Sequence, residues 1–185
     1  MKKLLNDYLE EISDLRVRIR RTVIEDIVKI FHLYRSVAAI PGGLARLQEE
    51  ISEPYVQMFV EKSLADGVSC VASAPDGKIV GEIHAYRSGL FCFSHVMTDL
   101  TVAVDPDFRN QGIARLLFAE FLDEIERNQP HISRVELISR ESNTVAIKFY
   151  ESLGFKKEGR FENRIKNVDG SLEADIPMGW TKSVR

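Results

Sequence analysis

The 185-residue chain is 44% hydrophobic and 29% charged, the balance of an ordinary soluble globular protein with enough length for one domain and a full core. Its formal net charge of -3 argues against a general nucleic-acid binder. No apolar run reaches membrane-spanning length, and early acids break up any secretory signal core behind Met1-Lys2-Lys3, which points to the cytoplasm.

Along the chain, Leu4, Leu5, Tyr8, Leu9 and Ile12 recur at helical spacing. Residues 1–15 are therefore expected to form a helical extension ahead of a domain over 16–185. The apolar stripe of that extension needs a cover: its own sheet, or a second copy of the chain in a homodimer. Arg16 to Arg21 alternates with Val17 and Ile19 like a half-exposed edge strand. Thr22 followed by Glu25 predicts a capping box and a helix over about 23–35. Pro41-Gly42-Gly43 breaks the chain, and 48–65 is helical in pattern with an interruption near Pro54. Strands are expected over 68–72 and 79–86 around a turn at Pro75-Asp76-Gly77, then a long strand over 91–104.

An amphipathic helix over 111–127 follows, with Ile113, Leu116, Leu117, Phe121, Leu122 and Ile125 on one face. A strand over 134–139, a helix over 143–153 stopped by Gly154, and two strands around Asn167-Val168-Asp169-Gly170 complete the order. Antiparallel hairpins thus precede a β-α-β crossover that makes two neighbouring strands parallel. Cys70 and Cys92 both sit in apolar segments without metal-ligand spacing and read as reduced core residues; no metal site is expected.

Between Val104 and Leu116 the chain passes from strand to helix through Arg109-Asn110-Gln111-Gly112-Ile113-Ala114-Arg115. A Walker loop and a three-glycine dinucleotide fingerprint are both absent. What remains is a loop whose Gly112 permits close backbone approach and whose amides converge at a helix N-terminus, an arrangement suited to phosphate. Alone, this does not separate a binding loop from an ordinary strand-to-helix turn.

After the next strand comes Asn143-x-x-Ala146-x-x-Phe149-Tyr150-x-x-Leu153-Gly154-Phe155. Together the two patterns resemble the GNAT superfamily of acyl-CoA-dependent N-acetyltransferases. The resemblance extends in element order over about 16–180 and is sharpest over 100–155. It implies a single α/β domain, a twisted mixed sheet flanked by helices and splayed between Leu100–Val104 and Arg134–Ser139. It implies acetyl-CoA as co-substrate and direct acetyl transfer to a primary amine, without a covalent acyl-enzyme.

Residue by residue, the resemblance gives the amides from Asn110 to Arg115 the pyrophosphate, with Arg109 beside them. It gives the backbone of Val102, Ala103 and Val104 the pantetheine arm, and one of those N–H groups the acyl carbonyl. Asn143 matches an asparagine that bonds the cofactor, and its position fits a helix N-cap equally well. Tyr150 matches a tyrosine that protonates the departing sulfur; a phenol with a pKa of about 10 is protonated at neutral pH. For the base that takes the amine proton, Asp99 is the first choice. Glu136 stands two residues from the position, Ile138, where members that acetylate ribosomal-protein N-termini carry a glutamate. Glu82 and His84 share a strand face, His95 lies in the preceding hairpin, and a chain of waters is a further alternative.

Acceptor choice is expected from the apolar, glycine-rich 37–46 segment and from the last hairpin, where Arg160 and Arg164 are candidates for a substrate carboxylate. The acceptor is a small amine or the N-terminus of a peptide or protein. A non-catalytic acyl-CoA-binding domain is the reading from another class.

Overall fold

The computed structural model of the protein describes residues 17–182, so the extension expected over 1–15 lies outside the described residues. They hold eight strands and four α-helices, in two compact units, and the chain passes from one to the other after His84, after Thr101 and after Asn128.

Of the described residues, the first unit takes 17–84 together with Val102–Asn128. Strand β1 (Arg18–Arg21) pairs antiparallel with β2 (Gly67–Ser73), from Arg18↔Ser73 to Arg21↔Cys70. The expected turn joins β2 to β3 (Ile79–Tyr86): Gly77 takes a φ of +82°, and its amide donates to the Ala74 carbonyl. Helix α1 (Ile27–Ala38) buries Ile30, Leu33, Tyr34 and Val37, a stripe at helical spacing.

Thr22 is not the cap expected of it. It still pairs with β2, its amide donating to the Ser69 carbonyl, so its hydroxyl faces the interior. The entry to α1 is held instead by Asp26, which accepts from the Val23 amide and from both prongs of Arg20 at 2.6 and 2.7 Å. Pro54 does not interrupt a helix but begins one: α2 (Glu53–Asp66) carries it in the first turn, where its missing N–H costs nothing, behind Ser52 as N-cap. Helix α3 (Ile113–Asn128) buries Phe118 where the periodicity placed Leu116, alongside Ile113, Leu117, Phe121, Leu122 and Ile125. Gly81 lets β3 approach α3 closely; a Cβ there would stand 2.9 Å from Leu117 Cδ1.

The second unit takes Ala85–Thr101 and, of the described residues, 129–182. Strand β4 (Val96–Val104) runs parallel to β5 (Arg134–Arg140) in the pairs Val96↔Arg134 and Met97↔Val135; two residues on, Asp99 takes a φ of +55°, a left-handed conformation that Asp tolerates better than most side chains. Helix α4 (Thr144–Ser152) is stopped by Gly154 at a φ of +95°. Strand β8 (Leu172–Thr181) pairs antiparallel with the whole of β5 through Asp175–Thr181 and also carries β6 (Lys156–Lys157) and β7 (Phe161–Lys166).

The long strand expected over 91–104 starts only at Val96. Residues Phe91–Phe93 close a 3-10 turn whose hydrogen bonds are local, Phe93 N–H to Leu90 O and Ser94 N–H to Phe91 O. That turn corrects the reading of Cys92, which is exposed, as is Phe91 at 94%; Cys70 is buried as expected. Hydrogen-bonded neighbours run in the order β1-β2-β3-β4-β5-β8-β6, with β7 on β8: an open mixed sheet in an α/β fold.

Candidate functional site

In the first unit, Val102–Val104 and Arg109–Arg115 form one continuous strand, loop and helix start. Buried Asp105 fixes where the strand ends: its amide donates to the Val80 carbonyl at 2.9 Å, its Oδ1 accepts from the Asp107 amide, and its Oδ2 holds Lys78 Nζ at 2.8 Å. Pro106–Phe108 then make one 3-10 turn. Asn110 and Gly112 both take left-handed backbone, with φ of +60° and +80°, and between them swing the chain into α3. The first helical bond runs from the Leu116 amide to the Gly112 carbonyl, so the amides from Gly112 to Arg115 lie outside the ladder of α3, at its positive end. Arg109, Asn110 and Gln111 are exposed, Ala114 and Arg115 half-buried, and Ile113 and Ala103 buried, so the latter two offer a ligand backbone rather than side chain.

In the second unit, Asn143 is the N-cap of α4, its Oδ1 accepting from the Ala146 amide at 3.2 Å. Tyr150 sits in the last turn of α4, its ring 5.7 Å from Phe149 and 6.1 Å from Phe155. It keeps part of its surface exposed, and burial of the rest pushes its phenol up to about 12. Asp99 is exposed at its backbone kink.

The other candidates for a base are separated by their partners. Glu136 is held by Arg134 Nε at 2.6 Å, and His95 is exposed. Glu82 and His84 do share a face, and both are buried in the first unit. Tyr34 Oη donates to Glu82 Oε2 at 2.6 Å and Ser69 Oγ to Oε1 at 2.9 Å. His84 Nδ1 lies 3.1–3.2 Å from both carboxylate oxygens and 3.3 Å from Tyr34 Oη, so it faces acceptors and carries a hydrogen. Since Ser69 donates to Glu82, Thr22 supplies the hydrogen of the 2.6 Å Thr22–Ser69 contact. The Phe59 ring covers His84 at 4.0 Å, nearly parallel. Sequence reasoning missed Tyr34, Ser69 and Thr22; its one signal was a charged pair, Glu82-x-His84, inside an apolar strand.

The acceptor candidates also part. Arg160 donates to both oxygens of Glu141, at 2.6 and 2.7 Å, and to Glu162. Among the described residues Arg164 has one acid within 4 Å, Asp175 at 3.7 Å, and it lies over the Phe161 ring. In the 37–46 segment, Gly43 passes so close that a Cβ would meet the Val37 carbonyl oxygen at 2.1 Å, and Arg46 lies 4.2 Å above the Tyr55 ring. Among the described residues no cluster of three or more His, Cys, Asp or Glu is arranged to hold a metal ion, and no helix is long and apolar enough to cross a membrane.

Comparison with known proteins joins these features. Over 94 residues, 49% of the chain, it is 36% identical to the ribosomal protein bS18 alanine N-acetyltransferase of Escherichia coli, of whose length it spans 62%. It is 31% identical over 112 residues to an L-amino acid N-acetyltransferase of Escherichia coli, covering 60% of this chain and 67% of that one. A phosphinothricin acetyltransferase from Sinorhizobium meliloti, solved with acetyl-CoA, shares the fold at a TM-score of 0.76 and 16% identity over 90% of this chain and 89% of that one. Residues 65–157, which include the whole strand, loop and helix start together with Asn143 and Tyr150, match the acetyltransferase (GNAT) domain, and the chain belongs to that family.

Proposed function

We propose that the chain transfers an acetyl group from acetyl-CoA to a primary amine by direct attack. The observation that carries this is the turn into α3, where left-handed Asn110 and Gly112 and the amides from Gly112 to Arg115 make an anion cradle at the end of a strand. Acetyl-CoA supplies the activated acyl thioester. The amides from Asn110 to Arg115 hold its pyrophosphate, with Arg109 and Arg115 adding positive charge. The backbone of Val102, Ala103 and Val104 pairs with the pantetheine arm, and one of its N–H groups polarises the acyl carbonyl. Asn143 uses Oδ1 as a cap and offers its Nδ2 to the same arm.

Tyr150 holds a proton for the leaving group. As the amine nitrogen bonds to the acyl carbon and the carbon–sulfur bond breaks, the sulfur takes the phenol hydrogen; burial keeps that phenol protonated across the neutral range. Asp99 takes the proton that the amine gives up. Two relatives are named for α-amino acceptors, one the alanine of a ribosomal protein and one free L-amino acids, which supports an α-amine as the acceptor class. Two free cysteines support the cytoplasm as the compartment.

The test is release of CoA thiol from acetyl-CoA across a panel of amino acids, amines and N-terminal peptides. At least one α-amine should raise release well above the rate in water, and Tyr150→Phe should lower kcat about 100-fold. Tight CoA binding with no productive acceptor, and no effect of Tyr150→Phe, would leave a non-catalytic acyl-CoA-binding domain.

A further inference from the structure

We infer that Arg164 is a carboxylate receptor that selects acceptors carrying an acidic group beside the amine. This deepens the acetyl-transfer reading above and rests on it. Strand β7 holds two arginines in very different states. Arg160 is spent on Glu141 and Glu162. Arg164 donates no hydrogen bond to any described residue; Asp175, its nearest acid, stands 3.7 Å from Nε, beyond hydrogen-bonding reach. Burial holds the Asp175 carboxyl above its ordinary range, and Arg164 and Arg140 only partly offset that.

The backbone aims Arg164 on purpose. Residues 161 and 164 of a regular strand point to opposite faces, being an odd number apart. Here the pairing with β8 shifts register between Phe161 and Ile165, and Asn163 takes a left-handed φ of +52°. That bulge brings the Arg164 guanidinium over the Phe161 ring, 4.9 Å from its centroid. Phe161, itself exposed, lines a shallow, wide-open depression with Arg160, Glu162 and Arg164. The ring supports the guanidinium while its donors stay unspent on described residues, which suits a planar two-oxygen acceptor. The Glu162 carboxylate facing the same depression is paired with Arg160 and so opposes an incoming anion less.

The experiment compares matched acceptors, L-phenylalanine with L-phenylalaninamide, and Ala-Glu with Ala-Gln N-terminal peptides. For whichever pair is acetylated, wild type should prefer the acid, and Arg164→Gln should lower the acid-to-amide ratio of kcat/KM about tenfold, through KM. Asn163→Gly, which keeps the left-handed backbone, should retain the preference; Asn163→Val, which opposes it, should lose it. The Arg164 side-chain Nε–H signal is followed in parallel by NMR as N-acetyl-L-phenylalanine or its amide is added. A saturable shift with the acid alone supports the receptor even if no acceptor turns over, a result that would sink acetyl transfer instead. An unchanged ratio in Arg164→Gln, or shifts equal for acid and amide, overturns it.

Discussion

The two units differ in the most deeply buried carboxylate that each holds. In the first, one carboxylate, Glu82, is fully buried and receives donors from Tyr34, Ser69 and His84, each itself buried. In the second, the carboxylates face arginines at the surface: Glu158 and Glu136 share Arg134, Glu141 and Glu162 share Arg160, and Glu173 holds Arg140. The arginine–glutamate pairs are numerous and short, yet water screens them and would solvate either partner alone. The buried cluster has fewer bonds, but a donor stripped of its carboxylate acceptor there has no water to turn to. Stability therefore depends on Glu82 far more than on any one surface pair.

The sharpest way to break this contrast is Glu82→Ala. It takes from the Tyr34 and Ser69 hydroxyls and from His84 Nδ1 the carboxylate they share and opens a cavity, so it should cost about 3–5 kcal/mol in chemical denaturation, unaffected by salt. A loss under about 1 kcal/mol would mean that the cluster relaxes freely and that the two units do not differ in kind.

The cluster also shows where sequence reading stops. Period and punctuation place β3, α1 and the turn at Gly77, because those follow from neighbours along the chain. Glu82 and His84 are legible as a pair because two residues apart on a strand means one face. Tyr34 is 48 residues from Glu82, and no local pattern tells that its hydroxyl ends on that carboxylate. Thr22 fails for a related reason: its spacing to Glu25 fits a cap, but pairing with Ser69 turns the hydroxyl inward. At the candidate site, Gly112 announces its left-handed turn by residue type, whereas the same conformation at Asp99 and Asn163 does not. Arg160 and Arg164 look alike until their distant partners, Glu141 and Asp175, are known.

Tyr34→Phe sharpens the contrast at intermediate size. It removes one donor from a buried charge and should cost about 1.5–3 kcal/mol. It also tests the pH dependence. Burial and the adjacent Glu82 hold the Tyr34 phenol well above its ordinary range, and burial holds Tyr150 at about 12. Unfolded tyrosines ionise near pH 10. A group raised on folding contributes stability that is whole below the unfolded value and is lost as pH rises, so stability should fall above about pH 10, and less steeply in Tyr34→Phe. The second unit should respond at the other end. Arg134 holds Glu158 below its ordinary range; Glu173 is also held below it, its burial outweighed by Ser142 and Arg140. Their contribution is present above an unfolded value of about 4.3 and is lost as pH falls below it.

The smallest effect is expected at Glu158→Gln. The pair with Arg134 lies flat on β8, where a Cβ on Gly179 would stand 2.6 Å from Glu158 Oε1 and 2.7 Å from Arg134 Nη2. Such contacts suggest strength, but Glu158 leaves 40% and Arg134 24% of its side chain in solvent, and Arg134 keeps Glu136 when Glu158 is neutralised. The loss should be under about 1 kcal/mol and should shrink further in 0.5 M NaCl, where the screening length drops to about 4 Å. Thermal unfolding of wild type and variant at low and high salt measures both quantities. A salt-independent loss as large as that of Glu82→Ala would show that a surface arginine fork, held over a glycine, can bind a strand as firmly as a buried carboxylate, and the ranking of the two units would reverse.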